Sequence, residues 1–223
     1  MKIDFINYIN KSIYLFVFTG FISAFAGSYE DFFAAIKRDD ANAVQQLLAR
    51  GFDPNTIDPL GQTGLYIALS EPSLKTAQVL LAAPKTNVNA LNAKDESALM
   101  IAALKSHLDV AASLIKRDAD VNKTGWAPLH YAATGGHLPI LSLLLENHAY
   151  IDAESPNGST PLMMAAMYGT PQAVKLLVEA GADPLLKNQQ GLTAIDFARR
   201  ASRTEAVDLL VAAIRSKQAT GKW

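Results

Sequence analysis

Histidine and aspartate are the residue types of this chain that could support metal binding or acid/base chemistry. No two of the histidines lie four residues apart, the spacing that places two imidazoles on one helical face for a metal. Asp118 and Asp120 are a candidate carboxylate pair, but they lie in a segment rich in Asp and Asn, where side-chain to backbone turns are expected. These residues therefore predict neither a metal site nor a catalytic site. The histidines are His107, His130, His137 and His148.

The composition of the chain and the motifs that it lacks exclude several classes of function. The chain has 223 residues and no cysteine, which excludes thiolate zinc sites, iron–sulfur clusters and cysteine nucleophiles. It contains no phosphate-binding loop, dinucleotide-binding glycine motif, HExxH motif or serine nucleophile elbow. The 20 Lys+Arg and 21 Asp+Glu residues nearly cancel, so there is no basic excess for binding nucleic acid. We therefore expect a protein that is not an enzyme, needs no cofactor and binds no nucleic acid.

Residues 1–26 have the pattern of a secretory signal peptide. A weakly positive start precedes an apolar stretch over residues 13–26, which ends in Ala24-Phe25-Ala26. Small residues at the third and first positions before the cut fit the shallow pockets of signal peptidase. The sequence thus predicts cleavage between Ala26 and Gly27.

An uncleaved membrane anchor is the alternative for this segment. A membrane-spanning helix needs about 20 apolar residues, and the stretch at 13–26 is shorter, with Asn7, Asn10 and Lys11 just before it. A bacterial lipoprotein would need a cysteine at the cleavage site, and the chain has none. We therefore expect no membrane association after cleavage.

An internal repeat organises the rest of the chain. Five segments share one outline that ends in alanine, as in Gly125-Trp-Ala-Pro-Leu-His-Tyr-Ala132 and Gly158-Ser-Thr-Pro-Leu-Met-Met-Ala165, and a degraded sixth copy precedes them. Neighbouring outlines start roughly 30–34 residues apart, and such a nearly fixed period is the signature of a repeat architecture. The alanines that end the six outlines are Ala35, Ala68, Ala102, Ala132, Ala165 and Ala198.

Each outline is followed by a second apolar stretch and then by a polar link. Val174-Lys-Leu-Leu-Val178 is one such stretch, and Ala180-Gly-Ala-Asp-Pro184 is the link that follows it. Apolar residues that recur at positions i, i+3 and i+4 mark one face of a helix. The pattern therefore predicts a helix, a tight turn, a second helix and a looping finger in each repeat.

This pattern resembles the ankyrin repeat family. The opening motif is clearest at Pro128-Leu129-His130 and Thr160-Pro161-Leu162, and the link motif at Gly181-Ala182-Asp183. Tetratricopeptide repeats have a similar period of about 34 residues, but they lack the Gly-x-Thr-Pro-Leu turn and the finger. The resemblance implies an all-α solenoid of about six helix–turn–helix repeats with hairpin-like fingers. Within a domain of residues 27–223, we predict repeats at about 28–59, 60–92, 93–122, 123–155, 156–188 and 189–215.

The sequence departs from the family pattern in three places. The segment Ala119–Gly125 is three residues short, so the finger between repeats three and four should be truncated. The link Ala83–Asn89 carries one extra residue, and Pro72 should disturb the turn between the helices of repeat two. We expect the stacking of the repeats to be irregular at these points.

The family pattern also assigns structural roles to residues that could otherwise suggest chemistry. His130 stands in the Thr-Pro-Leu-His position, where the imidazole bonds to neighbouring turn backbone, and His107 and His137 stand in the inter-helix turns. Asp118 and His148 replace the glycine that usually ends the second helix with positive φ. We therefore predict mild backbone strain at these two residues.

The resemblance further implies protein binding through a concave face built from finger tips and first helices. Exposed aromatic and apolar side chains on adjacent repeats would form a patch able to carry binding energy. The alternative for the aromatic Trp126 is that it folds back into the gap left by the short finger. The predicted binding residues are Lys94, Glu96, Lys105, Trp126, Thr134, Ser159, Met167, Tyr168, Gln190, Leu192 and Arg200.

Three functions remain open at the level of sequence. The first is a monomeric scaffold or adaptor that binds another protein in the bacterial periplasm, since eukaryotic ankyrin proteins are mostly intracellular while this chain begins with a signal-like segment. The second is an exported effector that binds a host protein. The third is an enzyme with an unrecognised site, for which a tight pocket with convergent polar groups would be the sign.

Overall fold

The computed structural model describes residues 27–220, and the predicted signal peptide lies outside this range. The described chain forms twelve helices in six pairs, and each pair is joined by a tight turn. One pair falls within each predicted repeat range, except that the last helix continues past the predicted end at residue 215. The helices are α1 (27–37), α2 (Ala41–Ala49), α3 (Gly64–Ser70), α4 (Leu74–Ala82), α5 (Ala98–Leu104), α6 (Leu108–Lys116), α7 (Pro128–Gly135), α8 (Leu138–Glu146), α9 (Pro161–Met167), α10 (Pro171–Glu179), α11 (Ala194–Arg200) and α12 (Thr204–Thr220).

The helices stack in two layers, which confirms the predicted all-α solenoid. The first helices α3, α5, α7, α9 and α11 pack side by side, and the second helices α2, α4, α6, α8, α10 and α12 form the other layer. The alanine that ends each repeat outline is buried, and its small side chain lets neighbouring helices approach closely. Leucines of the second helices, including Leu80, Leu114 and Leu144, fill the shared core. No single pair could bury this surface alone, so each repeat depends on its neighbours.

Hydroxyl side chains cap the first helices α3, α5 and α9, whereas α7 begins after Ala127, which has no hydroxyl. The Thr63 side chain accepts a hydrogen bond from the backbone N–H of Tyr66 at 3.3 Å, and Thr160 accepts one from Met163 at 3.4 Å. Pro161 occupies the first turn of α9, where its missing N–H costs nothing. Each cap satisfies a backbone donor that the helix itself leaves unpaired.

The turn between the two helices of a pair contains a residue with positive φ in every repeat except the fifth. Ser106 has φ 62° and Gly136 has φ 68° at this position, and Pro72 is forced to φ 21° there. The turn of repeat two still keeps its hydrogen bond from the Ser73 N–H to the Ala68 carbonyl at 2.8 Å. The predicted disturbance by Pro72 is therefore a strained backbone and not a lost turn, because the proline ring favours a clearly negative φ.

The links after the second helices contain the left-handed residues that the sequence predicts. Asp118 has φ 60° and His148 has φ 63°, where the equivalent Gly51 and Gly181 have φ 91° and 108°. The prediction that these two non-glycine residues end their helices at positive φ is confirmed. Aspartate and histidine tolerate this conformation better than most side chains, at some strain.

Asparagine side chains tie neighbouring links together, and Asp152 takes this role at the last pair of links. The Asn89 side chain donates to the Asp118 carbonyl at 3.0 Å and accepts from the Asp120 N–H at 2.8 Å. Asn122 repeats this arrangement with His148 and Tyr150, at 2.8 Å for both hydrogen bonds. These pairs of bonds fix the spacing between neighbouring repeats along the finger side of the solenoid.

The fingers are short hairpin-like turns with isolated antiparallel bridges between Ile57 and Thr63 and between Leu91 and Ser97. At the tip of the second of these fingers, the Asn92 side chain accepts the N–H groups of Lys94 and Glu96 at 2.8 and 3.0 Å. Such a turn organises the backbone without a sheet around it. The finger at residues 119–125 lacks the residues for this turn, as its length predicts, and Lys123 there forms an ion pair with Asp95 of the preceding finger.

Candidate protein-binding face

A pocket of about 250 Å³ lies where the first helices and the truncated finger meet. It brings together residues from α5, from the short finger, from α7 and from the end of α9. We call this site the concave pocket. Its lining residues are Leu104, Trp126, His130, Tyr131, Thr134, Met164 and Tyr168.

Three of the predicted binding residues line the concave pocket, namely Trp126, Thr134 and Tyr168. Tyr168 directly follows α9 and is 57% exposed. Thr134 is half-buried, and its hydroxyl donates to the His130 carbonyl one helical turn earlier, at 2.9 Å. Tyr168 is thus the exposed aromatic side chain of the pocket, while Thr134 is held in place by its helix.

Trp126 combines the two arrangements that the sequence left open. Its ring is half-buried against the hydrophobic core and lies edge-to-face on the His130 ring, with 5.3 Å between the ring centroids. The same side chain lines the concave pocket. Trp126 is therefore both a packing residue beside the short finger and part of the accessible surface.

Sequence reasoning missed the pocket walls formed by Leu104, Tyr131 and Met164. Tyr131 and Met164 each precede the alanine of their repeat, a position that the buried Ile67 and Ile101 occupy in earlier repeats. The period alone therefore assigns them to the core. A tyrosine at this apolar position, five residues after Trp126, was the signal that could have identified the wall.

His130 is fully buried under the pocket and serves the backbone. Its Nδ1 accepts the Ala127 N–H at 3.1 Å, so its protonated Nε2 donates to the Ser159 carbonyl at 3.0 Å. Burial lowers the pKa of the His130 imidazole, and its hydrogen bonds to the backbone oppose that effect only in part. The predicted structural role is confirmed, and the imidazole links repeat four to the finger of repeat five.

The histidines of the inter-helix turns play the same kind of role. The Nε2 atom of His107 lies 3.3 Å from the Leu69 carbonyl, and that of His137 lies 2.9 Å from the Leu104 carbonyl. Each contact joins the turn of one repeat to the end of the first helix of the preceding repeat. These two predicted structural roles are likewise confirmed.

Glu96 is held at the edge of the concave pocket by three side-chain donors. Its carboxylate accepts hydrogen bonds from the Tyr66 hydroxyl at 2.7 Å, from the Asn92 amide at 2.9 Å and from the Tyr131 hydroxyl at 3.1 Å. Burial alone would raise the pKa of the Glu96 carboxyl, but these hydrogen bonds outweigh it and the net pKa is lowered. Burial and the Glu96 carboxylate together raise the pKa of Tyr66 to about 12. The network therefore fixes Tyr131 as a pocket wall.

The remaining predicted residues differ in how accessible they are. Lys94, Lys105, Gln190 and Arg200 are exposed, and Met167 and Leu192 are half-buried against the core. They extend the face along the solenoid on both sides of the concave pocket. None of these six lines the pocket itself.

The prediction that Ser159 belongs to the binding face is wrong, because its side chain is fully buried. Its N–H donates to the Ser155 hydroxyl at 3.0 Å, and its carbonyl receives the His130 imidazole. The small hydroxyl also lies 3.4 Å from the Asn188 amide of the next finger. Ser159 thus holds neighbouring fingers together, and its side chain has no surface to offer to a partner.

A second, larger pocket of about 830 Å³ opens between repeats one and two, along α2 and the end of α4. Its lining includes Leu48, Phe52, Val79 and Pro84. The link after α4 differs from the others, because Ala83 ends the helix in an extended conformation, φ −73° and ψ 119°, and no residue of this link has the positive φ that Gly51 and Asp118 have in theirs. This groove lies outside the predicted binding face.

No helix within residues 27–220 is both long enough and apolar enough to cross a membrane. Within the same range, no three side chains of His, Asp or Glu come together in a way that could hold a metal ion.

A solenoid of stacked helix pairs defines a repeat protein, and comparison with known proteins gives the family. The family description "Ankyrin repeats (3 copies)" matches residues 32–124, 73–155 and 129–220. The chain therefore belongs to the ankyrin repeat family. Ankyrin repeats generally act as scaffolds for protein–protein interaction.

Two relatives show how far the similarity extends along other chains. The chain is 31% identical over 196 residues to the putative ankyrin repeat protein YahD of Escherichia coli strain K12, and the match covers 82% of this chain and 95% of YahD. It is 32% identical over 165 residues to the nuclear factor NF-kappa-B p105 subunit of Gallus gallus, covering 71% of this chain. The match spans only 17% of the length of that p105 subunit.

Solved structures show the same architecture. One similar chain occurs in the complex of the Bd0816 predatory endopeptidase from Bdellovibrio bacteriovorus with the immunity protein Bd3460. It is 31% identical, with a TM-score of 0.70, and the match covers 82% of this chain and 97% of that chain. An ankyrin repeat domain from Acinetobacter baumannii AYE is 26% identical, with a TM-score of 0.70, and the match covers 82% of this chain and 96% of that chain.

Proposed function

We propose that this protein is a non-enzymatic, monomeric scaffold or adaptor that binds another protein through its concave face. The observation that carries the proposal is the concave pocket, which offers Trp126, Tyr131 and Tyr168 from neighbouring repeats on one surface. Large aromatic side chains in a partly desolvated pocket are the residues that most often dominate binding energy at protein interfaces. The His130 imidazole and the Tyr131 and Thr134 hydroxyls at this pocket already form hydrogen bonds within the protein, which favours binding over catalysis.

We further propose that the scaffold acts in the bacterial periplasm or beyond it. The signal-like pattern of residues 1–26 supports this location. The expected result is a protein that begins at Gly27 when it is isolated from the producing cell. Intact-mass analysis of the native protein tests the proposal, and a mass that still includes residues 1–26 would contradict it.

An inhibitor of an envelope enzyme is a second candidate function. It is favoured by the likeness, at 31% identity, to a chain in the complex of an endopeptidase with an immunity protein. A scaffold that covers the active-site entrance of such an enzyme would need no chemistry of its own. The exported effector remains the alternative, and it requires a partner that comes from a host cell.

Partner capture by variants of Tyr168 tests the proposed binding face. Tyr168→Ala should weaken capture of a partner from envelope extract by about tenfold or more while leaving the melting temperature unchanged, because Tyr168 is an exposed pocket residue. Tyr150→Ala is the matched control, since Tyr150 is 68% exposed but lies in a link and not in the concave pocket. Trp126→Ala is less suitable by itself, because this ring also packs on His130.

The outcomes separate clearly. Reduced capture by Tyr168→Ala with normal capture by Tyr150→Ala supports the concave pocket as the site. Equal capture by the wild type and by a folded Tyr168→Ala, Trp126→Ala double variant would reject it. Capture of an envelope enzyme whose activity falls on binding would favour the inhibitor function.

A further inference from the structure

The finger between repeats four and five has a tip, residues 155–159, that is built differently from the other full-length tips. In the tips that begin at Asp58, Asn92 and Asn188, the side chain of this first residue accepts the N–H groups two and four residues later, at 2.8–3.0 Å. Ser155 stands at this position in the tip 155–159, and its hydroxyl oxygen accepts the Ser159 N–H at 3.0 Å. Unlike a carboxylate or an amide oxygen, a hydroxyl also carries a proton that it can donate.

Ser155 donates this proton to the side chain of Asn157. The Ser155 Oγ atom lies 2.6 Å from Asn157 Oδ1, and the Ser159 N–H donates to the same oxygen at 3.2 Å. Two donors on one amide oxygen stabilise the negative charge that develops there when the amide carbon is attacked, as the donors of an oxyanion hole do. The side-chain amide of Asn157 is therefore activated toward a nucleophile.

Gly158 supplies a nucleophile next to this amide, and Asn157-Gly158 is the only Asn-Gly pair in the chain. Its backbone nitrogen can close a five-membered ring with the Asn157 amide carbon, and such an intramolecular attack has a high effective concentration. Glycine has no Cβ atom to hinder the approach. The Gly158 N–H donates to the Ser155 carbonyl at 2.8 Å, so this bond must open first. Asn157 is exposed, so water can reach the reacting groups.

We propose that Asn157-Gly158 is a site at which the protein modifies itself. The Gly158 nitrogen loses its proton and forms a bond to the side-chain amide carbon of Asn157, and the amide nitrogen leaves as ammonia, which gives a cyclic succinimide. Water then adds to one of the two succinimide carbonyls, and the ring opens to aspartate or to isoaspartate. The reaction consumes water and needs no oxidant or reductant. It does not depend on the proposed binding function.

Isoaspartate at this position changes how the tip 155–159 is attached to its neighbours. The main chain then runs through the former side chain and is longer by a methylene. The carbonyl of Asn157, which becomes a free carboxylate, accepts the Gln189 N–H of the next finger at 3.0 Å in the unmodified protein. Ser159, two residues further on, holds the His130 imidazole under the concave pocket. Aspartate leaves the main chain unchanged, so we expect isoaspartate to destabilise the stack and aspartate to leave it intact.

Peptide mapping of the folded protein by mass spectrometry tests the inference. The purified protein is incubated at pH 8 and 37 °C, and circular dichroism checks that it stays folded. We expect deamidation at Asn157, with isoaspartate among the products. Gln190 is the internal control, because it precedes Gly191 at the equivalent position of the next tip. Gln190 should stay unchanged, since a glutamine must close a larger ring.

Ser155→Asn isolates the activating hydrogen bond. It gives the tip the same first residue as the tips that begin at Asn92 and Asn188, so the turn should keep its shape while Asn157 loses the hydroxyl donor. Deamidation at Asn157 should slow by about tenfold or more. Asn157→Asp is the control for stability and should melt at the wild-type temperature. The isoaspartate form, separated from the incubated wild type, should melt at a lower temperature.

Three results would overturn the inference. The first is deamidation at Asn157 that is no faster than at the other asparagines of the folded protein. The second is equal or faster deamidation in Ser155→Asn, because the attack would then not depend on the hydroxyl donor. The third is an isoaspartate form that melts at the wild-type temperature, which would show that the modification does not reach the stack. None of these results bears on partner capture through Tyr168.

Discussion

At the scale of single residues, His130 makes the stability of the protein depend on pH. Burial lowers the pKa of this imidazole in the folded protein, whereas the unfolded chain has the ordinary value of about 6.5. The unfolded state therefore binds the proton more readily, and the folded state loses stability as the pH falls below about 6.5 toward the folded pKa. Above about pH 6.5 the imidazole is neutral in both states, so this loss of stability does not occur there.

Unfolding in urea at pH 7.5 and pH 5.0 measures this effect. The wild type should lose more free energy of unfolding between the two pH values than His130→Gln, which carries no titrating group at this position. His130→Gln should also be less stable at pH 7.5, by about 1–3 kcal/mol, because buried backbone groups lose their partner. Equal pH dependence in the two proteins would show that folding does not change the pKa of His130.

The left-handed residues Asp118 and His148 give a second prediction at the residue scale. Replacing either by glycine removes the Cβ strain at φ 60° or 63° and should stabilise the protein by up to about 1 kcal/mol. Gly181→Ala is the matched reverse change, because Gly181 has φ 108° at the equivalent position, and it should destabilise the protein. Urea unfolding checks all three variants. A loss of stability in both glycine variants would contradict the assignment of strain.

At the scale of elements, the end of α9 is a tight point in the stacking of the first helices. A Cβ atom added at Gly169 would lie 2.3 Å from the Ala133 carbonyl oxygen and 3.0 Å from backbone atoms of Ala165. These are backbone atoms, so the neighbouring repeats must move apart to make room.

Gly169→Ala should therefore destabilise the protein by about 1–3 kcal/mol, as overpacking generally does. Thermal unfolding followed by circular dichroism at 222 nm is the measurement. Ala180→Ser, an exposed change just after α10, is the control and should leave the melting temperature within error. An unchanged melting temperature for Gly169→Ala would mean that repeats four and five do not pack as closely as described.

The elements also show what the sequence could predict and where it failed. Period, caps and helix-ending residues are local signals, so the helix pairs, the truncated finger and the positive φ of Asp118 followed from sequence alone. The burial of Ser159 could not be predicted, because it depends on His130 of the preceding repeat and on Asn188 of the following finger. The pocket walls Tyr131 and Met164 were missed for a similar reason. The periodicity assigns this position to the core in every repeat. These two side chains line the pocket because they lie beside the short finger in the stacked structure.

At the scale of the whole molecule, the binding face depends on the stack rather than on any one repeat. The concave pocket takes Leu104 from repeat three, Tyr131 from repeat four and Tyr168 from repeat five. In a repeat protein the stability is approximately the sum of single-repeat terms and neighbour interfaces. A change that weakens one of these interfaces should therefore alter the pocket even when it lies far from the partner.

The central claim is that a partner protein occupies the concave pocket, and hydrogen–deuterium exchange of the free protein and of its complex with the captured partner tests it most directly. We predict that exchange slows on binding in the truncated finger at 119–125, at Trp126 just after it, and in the turn at 168–170 that follows α9. We predict no change along α2 and α4, which line the other large groove. Slowed exchange confined to α2 and α4, with the truncated finger unchanged, would contradict the claim.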